Sequence, residues 1–389
     1  MDSSSLDTGI ATADFSFLSI LSGEYTTVKN ILWKDEWFFE PTTVYNHKLA
    51  TAAMGLSALA YADGERNIAG YEQLGFTSDD VCTEVVKDPK GPIGFTLACK
   101  RIKKQQDEKS LIVIAVRGTI GRAEWESNMD ISGGSPTVDV HVGFEAAKNI
   151  ILGKLQAFLT NKGLEEEAPS SKVLLVGHSR GAAVANLLAL ELVSSGAYAL
   201  EDTYCYTFAT PNVATHLDPA PYIFNIINPD DFVPRAPLEK WNFGKHGVSY
   251  ELPSTSNFDK DEFMKRYEAM NLFFKDMTGN NFQYYEKGVA PVEGFIRSTA
   301  DYAPSLLEYY TEQYGLGKIT MYELFMVLAT IMDNGVSLKE EITFGYDTLV
   351  DFPEILPFFF GEIGPRHLVF HNHCQEGYLA WLQSQDDLS

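Results

Sequence analysis

The sequence contains few cysteines, and their spacing matches no metal or redox motif. Four cysteines occur in 389 residues, and no two of them form the Cys-x-x-Cys pair that binds zinc or carries redox chemistry. An even number permits disulfides, but we interpret all four as free thiols. They are Cys82, Cys99, Cys205 and Cys374.

Basic residues are also scarce. The chain has 30 Lys and Arg residues against 53 Asp and Glu residues, which leaves a formal net charge of -23 at pH 7. A charge of this sign repels nucleic acid and anionic lipid headgroups over about one Debye length. We therefore expect no nucleic-acid partner.

A long hydrophobic run and a basic N-terminal region are both missing. The first lysine is Lys29, so the start of the chain lacks the positive region of a secretory signal. No apolar run approaches the roughly 18 residues that a transmembrane helix needs. We expect a soluble protein with no transmembrane segment and no signal peptide in this sequence, either cytoplasmic or secreted with its signal removed.

The middle of the chain alternates apolar strands with amphipathic helices. This alternation is typical of an α/β fold, in which helices flank a mostly parallel central sheet. Residues 1–45 form an aromatic-rich N-terminal extension that we expect to be irregular and packed on the domain. The predicted strands are 94–101, 111–116, 172–176, 204–208 and 222–227, and the predicted helices are 47–61, 142–159, 181–193 and 375–383.

The pattern changes after Pro237 for more than a hundred residues. Apolar residues recur three or four positions apart, which predicts three helices at 259–277, 302–314 and 321–332. We interpret residues 241–346 as a helical insertion that forms a lid or cap. The core is then predicted to consist of residues 1–240 together with residues 347–389.

A serine between two glycines follows the predicted strand 172–176. The motif Gly177-His178-Ser179-Arg180-Gly181 is weak as five letters, but it lies between an apolar strand and a helix of small residues. Glycines two before and two after the serine remove the Cβ atoms that would clash in a sharp strand-to-helix turn. We therefore predict that Ser179 is the nucleophile of an α/β-hydrolase fold.

Acyl transfer also requires two hydrogen-bond donors for the oxyanion of the tetrahedral intermediate. The residue after the nucleophile supplies one backbone N–H, which here is Arg180. The second donor comes from a loop beside a neighbouring strand, and Val116-Arg117-Gly118-Thr119 closes the strand 111–116. We predict that Arg180 and Thr119 form the oxyanion hole.

The acid of the triad is expected after the nucleophile and before the histidine in this fold. Asp230 and Asp231 both follow the strand 222–227 at the edge where catalytic groups gather. Asp231 directly precedes Phe232 and is the preferred candidate. Asp230 is the alternative.

The base must be one of the histidines that follow the acid. His373 directly precedes the predicted last helix, where a loop allows the imidazole to reach both serine and carboxylate. His371 is the alternative base. The earlier residues His141 and His178 are predicted to line the substrate site.

Seven short motifs occur in the order found in one known family. On these residues the chain resembles the class 3 lipases, the group of the fungal triacylglycerol lipases, as a bacterial- or plant-like member. Outside the insertion they span about residues 47 to 385. They are VRGT at 116–119, W-x-x-N at 125–128, VHVGF at 140–144, GHSRG at 177–181, FATPNV at 208–213, DDFVPRAP at 230–237, and His373 followed by Tyr378.

The resemblance implies an enzyme that hydrolyses lipid esters, with Ser179, Asp231 and His373 as its triad. It implies no metal or cofactor for the chemistry, a mobile lid and transient contact with a lipid interface. The chain departs from the compact fungal enzymes in its longer segment between Asp231 and His373, and in the short polar sequence TIGRAEWESN after VRGT. We therefore expect the helical insertion to act as the lid.

Two other functions are consistent with the same residues. A phospholipase or an acyltransferase would use the same triad with another headgroup or acyl acceptor. A catalytically silent lipase-like binding module would keep the fold and lose a triad member, but the sequence offers a candidate for every member.

Overall fold

The computed structural model describes residues 9–87, 93–120, 142–231, 233–235, 243–282 and 371–388. The segment predicted to be an irregular extension begins instead with two antiparallel strands, Ile10–Leu18 (β1) and Tyr25–Lys34 (β2). Ala13, Phe15 and Phe17 alternate with more exposed residues and are buried. This period of two is the pattern of a strand with one face on a core. The irregular assignment was therefore wrong, while the predicted packing on the domain is confirmed.

The main sheet has seven strands in the order in which they occur along the chain. The first three strands pair antiparallel, and every later pair is parallel. The predicted mostly parallel sheet is confirmed. The strands are Val81–Val86 (β3), Ile93–Lys104 (β4), Asp107–Val116 (β5), Lys172–His178 (β6), Thr203–Phe208 (β7), Ile223–Ile227 (β8) and Val248–Glu251 (β9).

Helices cover both faces of the sheet. In β5, Val113 belongs to one buried apolar cluster, whereas its neighbours Ile112 and Ile114 belong to the cluster on the other face. A strand buried on both sides is therefore apolar at successive positions. The helices are His47–Leu59 (α1), Gly64–Gln73 (α2), Val142–Lys162 (α3), Arg180–Ser194 (α4), Lys260–Thr278 (α5) and Gln375–Ser384 (α6).

Side-chain caps define where several of these helices begin. The Asn46 side chain accepts a hydrogen bond from the backbone N–H of Leu49, and the Asp63 side chain accepts one from Arg66. Such caps satisfy N–H groups that have no partner within the helix. Asp63 therefore starts α2, a helix that sequence analysis did not predict.

The predicted insertion begins too early at residue 241. The strand β9 lies within it and pairs with β8, so these residues complete the main sheet. The helix α5, also within the predicted insertion, packs on α6 through rings such as Phe263 and Trp381, whose centroids are 6.1 Å apart. The predicted helices 302–314 and 321–332, and with them the expected lid, lie outside the described residues.

Two further expectations concern the whole chain. All four cysteines are free, as predicted. In the ranges that the structure covers, no helix combines the length and the apolar character needed to cross a membrane.

Candidate active site

Ser179 occupies a sharp turn between β6 and α4. The strand ends at His178 and the helix begins at Arg180, so one residue makes the whole connection. Ser179 has φ 60° and ψ -131°, a conformation that L-residues rarely adopt. Such strain persists only where the surrounding structure holds the residue in place, and it projects the side chain at the carboxyl edge of the sheet.

Two glycines allow this turn to form. A Cβ atom on Gly177 would collide with the backbone of Gly181, and one on Gly181 would collide with the carbonyl group of Val116. The helix and two strands therefore approach each other more closely than a side chain allows. The predicted reason for the Gly-x-Ser-x-Gly spacing agrees with these contacts.

His373 approaches Ser179 from the end of the helical residues 371–373, just before α6. The distance between His373 Nε2 and Ser179 Oγ is 2.8 Å, within hydrogen-bonding range. Only 1% of His373 and 5% of Ser179 is exposed. The imidazole is thus in a position to remove the serine proton.

Asp231 holds the other side of the same imidazole. Its Oδ2 atom lies 2.7 Å from His373 Nδ1 and accepts a hydrogen bond from the Tyr378 hydroxyl at 3.0 Å. The other oxygen, Oδ1, accepts the backbone N–H of Val233 at 2.9 Å. The Tyr378 hydroxyl in turn accepts the backbone N–H of Asn228 at 3.0 Å. The buried carboxylate is therefore fixed by three donors.

The alternative acid and base lie elsewhere. The His371 ring packs against Phe274 and Phe282, with centroid distances of 5.8 and 5.7 Å. Asp230 is half-buried, and its backbone N–H donates to Asn228 Oδ1. The structure therefore brings His373 and Asp231, the preferred candidates, to Ser179.

The predicted oxyanion-hole residues flank the serine. Arg180 is the first residue of α4, where backbone N–H groups and the positive end of the helix dipole point outward. On the other side, a Cβ atom on Gly118 would lie 3.0 Å from Ser179 Cβ, so this loop runs directly against the serine. Thr119 follows in the loop and is 6% exposed.

His178 is placed differently from its predicted role at the substrate surface. It has no exposed area, and burial lowers the pKa of its imidazole well below the usual value. Its Nδ1 lies 2.9 Å from the Tyr61 hydroxyl and its Nε2 lies 2.8 Å from the carbonyl oxygen of His373. The other predicted substrate residue, His141, lies outside the described residues.

Sequence analysis assigned no role to Tyr61 or Tyr378. Tyr61 is the last residue of a predicted apolar helix, and 117 positions separate it from its partner His178. Tyr378 is named in the family resemblance, but nothing in the sequence shows that its hydroxyl reaches Asp231 across 147 positions. For Tyr61 the available signal is a polar aromatic residue at the end of a predicted apolar helix, and for Tyr378 it is the position five residues after His373.

Together the fold and the site define a class of protein. A serine at a strand-to-helix turn after the middle strand, an aspartate after a later strand and a histidine before the last helix are arranged as in an α/β-hydrolase. The predicted fold class is confirmed.

Comparisons with known proteins agree with this class. Residues 113–241 match the family model described as lipase (class 3). Over 134 residues the chain is 33% identical to Lipase A of Sodiomyces alcalophilus, covering 28% of this chain and 30% of that protein. Over 201 residues it is 28% identical to secreted mono- and diacylglycerol lipase 1 of Fusarium solani, covering 46% of this chain and 56% of that protein.

A solved lipase structure is similar to just over half of the chain. The native propeptide complex of Rhizomucor miehei lipase is similar to 55% of this chain and 71% of that chain, with 22% identity and a TM-score of 0.37. The chain spans less than two thirds of the length of the two curated relatives. The match to the class 3 lipase family model covers the part of the chain from β5 to residue 241, which contains Ser179 and Asp231.

Proposed function

We propose that the chain is a serine hydrolase that cleaves carboxylic esters of lipids, as a triacylglycerol lipase or carboxylesterase. The observation that carries the proposal is the continuous set of hydrogen-bonding distances at the turn: 2.8 Å from Ser179 Oγ to His373 Nε2 and 2.7 Å from His373 Nδ1 to Asp231 Oδ2. The names of the relatives, a lipase and a mono- and diacylglycerol lipase, support the same class of substrate.

In the proposed mechanism, Ser179 Oγ attacks the ester carbonyl carbon while its proton moves to His373 Nε2. The tetrahedral intermediate collapses, the bond to the alcohol oxygen breaks, and His373 returns the proton to the leaving alcohol. Water then attacks the acyl-enzyme and gives a proton to His373, which passes it to Ser179 Oγ as the acid is released. Asp231 holds the imidazole in the tautomer that has its proton on Nδ1.

The backbone N–H groups of Arg180 and Thr119 are proposed to stabilise the oxyanion of both tetrahedral intermediates. Loss of one such donor in a serine hydrolase typically costs about 100-fold or more in kcat. Both residues flank Ser179, one as the first residue of α4 and the other in the loop that contacts the serine through Gly118.

We also propose that the insertion, from the residues after α5 to about residue 346, covers the site and contacts the lipid interface. The sequence of this segment includes apolar runs such as LFMVLATIM at 324–332. Burial of each methylene of an acyl chain contributes about 0.8 kcal/mol, so such side chains would favour long acyl groups.

Hydrolysis of p-nitrophenyl esters of increasing acyl length tests the reaction. We expect turnover by the parent protein and loss of turnover by Ser179→Ala. Release of fatty acid from triacylglycerol but not from phosphatidylcholine would support a lipase over a phospholipase. Acyl transfer to an added alcohol in preference to water would indicate an acyltransferase, and equal activity of Ser179→Ala would rule out the mechanism.

A further inference from the structure

The His178 ring lies within hydrogen-bonding distance of two groups from distant parts of the chain. The Tyr61 hydroxyl comes from the turn that follows α1, and the His373 carbonyl comes from the helical residues 371–373 just before α6. Distances of 2.9 and 2.8 Å place one partner at each ring nitrogen. Because His178 is fully buried next to Ser179, no substrate group reaches it in this arrangement.

The two partners determine the tautomer of His178. A carbonyl oxygen only accepts hydrogen bonds, so Nε2 must carry the proton and donate it to His373. In the neutral ring Nδ1 is then an acceptor, and the Tyr61 hydroxyl donates to it. The lowered pKa of the buried imidazole agrees with a ring that stays neutral at physiological pH.

Tyr61 also contacts the loop on the other side of the serine. A Cβ atom on Gly118 would overlap the Tyr61 hydroxyl and would lie 2.6 Å from the carbonyl oxygen of His178. The hydroxyl is therefore packed against the backbone of the loop that ends in Thr119. One buried tyrosine thus touches both the predicted oxyanion loop and the histidine that holds the His373 backbone.

We propose that Tyr61 and His178 are positioning residues that hold the His373 main chain and the Gly118 loop in register with Ser179. The inference rests on the proposed function and adds two positioning residues to the proposed catalytic site. Each ring acts through another residue: His178 through its bond to the His373 carbonyl, and Tyr61 through His178 and Gly118. A displacement of about 1 Å in a catalytic group reduces rates by about 100-fold.

The test compares two buried tyrosines in the full chain. Tyr61→Phe removes the hydroxyl that donates to His178, whereas Tyr71→Phe removes a buried hydroxyl that has no hydrogen-bond partner among the described residues. For Tyr61→Phe we expect kcat on a p-nitrophenyl ester to fall about tenfold or more, with KM changed by less than about twofold. Tyr71→Phe should leave both constants unchanged. A kcat within about twofold of the parent for Tyr61→Phe would overturn the proposal.

A second pair of variants tests His178 itself. The Gln amide in His178→Gln keeps an N–H donor for the His373 carbonyl, whereas His178→Leu keeps none. We expect the Gln variant to retain at least about tenfold more kcat than the Leu variant. Equal kcat in the two variants would contradict the positioning role.

Histidine ¹⁵N NMR of the unmodified protein provides a readout that does not depend on activity. We expect a neutral His178 ring with its proton on Nε2 at neutral pH. A proton on Nδ1, or a ring that titrates near its ordinary pKa, would overturn the inference even if the protein hydrolysed no ester. If the parent protein showed the expected His178 tautomer but hydrolysed no ester, the proposed function would be rejected and the positioning of His178 would not.

Discussion

The Tyr378 hydroxyl donates to Asp231 Oδ2, the same oxygen that faces His373 Nδ1. Two donors therefore converge on one carboxylate oxygen, and burial together with the nearby Asp231 raises the pKa of Tyr378 well above its usual value. The tyrosine consequently stays protonated, as a donor must. The orientation of the proposed base thus depends on a hydroxyl group five positions after it in the sequence.

Replacement of this hydroxyl should weaken both stability and turnover. In Tyr378→Phe, Asp231 loses one donor and the buried N–H of Asn228 loses its acceptor. We expect the free energy of unfolding to fall by about 1–3 kcal/mol, because a buried N–H is left without a partner, and kcat to fall about tenfold. Urea denaturation and ester hydrolysis measure the two effects.

Tyr198→Phe is the matched control, because the buried Tyr198 hydroxyl has no hydrogen-bond partner within the part of the chain that the structure describes. This control should lose little stability and no activity. Equal effects of the two substitutions would show that the hydroxyl of Tyr378 contributes nothing specific to Asp231.

Because of the backbone strain at Ser179, we expect a glycine substitution there to be more stable than an alanine substitution. At φ 60° and ψ -131°, glycine is accommodated more easily than alanine. Ser179→Gly should therefore be more stable than Ser179→Ala by about 1 kcal/mol, as measured by urea denaturation. At Ser195, where φ is -75° and ψ is -11°, alanine should be the more stable substitution. The same order at both positions would contradict stored strain at Ser179.

The close approach of α4 to β5 predicts that Gly181 tolerates no side chain. The Cβ atom of Gly181→Ala would meet backbone atoms of Val116 and Arg117, which cannot rotate away. We expect a loss of about 3 kcal/mol or more in the free energy of unfolding. Thermal or urea denaturation of the two alanine variants at Gly181 and Gly153 provides the comparison.

Gly153 is the control because it lies within α3 and a Cβ atom there would meet nothing within 4 Å. Gly153→Ala should stabilise the protein by about 0.5–1 kcal/mol, the usual gain in a helix. A Gly181→Ala protein as stable as Gly153→Ala would disprove the tight contact.

Glu376 predicts a dependence of stability on pH. It lies in the first turn of α6, and burial raises the pKa of its carboxyl above the usual value. The folded state therefore holds this proton more tightly than the unfolded state. As a result, its contribution to stability is complete below the unfolded pKa near 4.5 and declines as pH rises toward the folded pKa.

The Glu376→Gln variant should avoid this decline. It is expected to be more stable than the parent at pH 8 and of similar stability at pH 4, with a change of up to about 1.4 kcal/mol per pH unit between them. Urea denaturation at several pH values measures the difference. Glu268→Gln, on the exposed surface of α5, should show no such trend. A pH-independent difference for Glu376→Gln would contradict the raised pKa.

The interior of the sheet could be predicted because its strands are apolar on both faces. Leu111 to Val116 and Lys172 to Val176 lie within β5 and β6, close to their predicted bounds. The edge strand β9 was missed because it has only four residues, three of them exposed, and therefore no apolar signal. The helix α2 was missed because its sequence, GERNIAGYEQ, is mostly polar.

The catalytic serine could be predicted because its neighbours in the sequence indicate a strand-to-helix turn. The residues at Ser179 carry local signals: a glycine on each side, a strand before and a helix after. The choice of His373 over His371 depended on a predicted helix boundary at Gln375, which the structure has at the same residue. The contacts of Tyr61 with His178 depend on tertiary packing alone, and no local pattern encodes them.

The central claim is that His373 activates Ser179 as a nucleophile. The most direct measurement is labelling with diisopropyl fluorophosphate, followed by mass spectrometry of the peptides. The account predicts one adduct, on Ser179, which forms at an unchanged rate in His371→Ala and at least about 100-fold more slowly in His373→Ala. An adduct on another residue, or an unchanged labelling rate in His373→Ala, would contradict it.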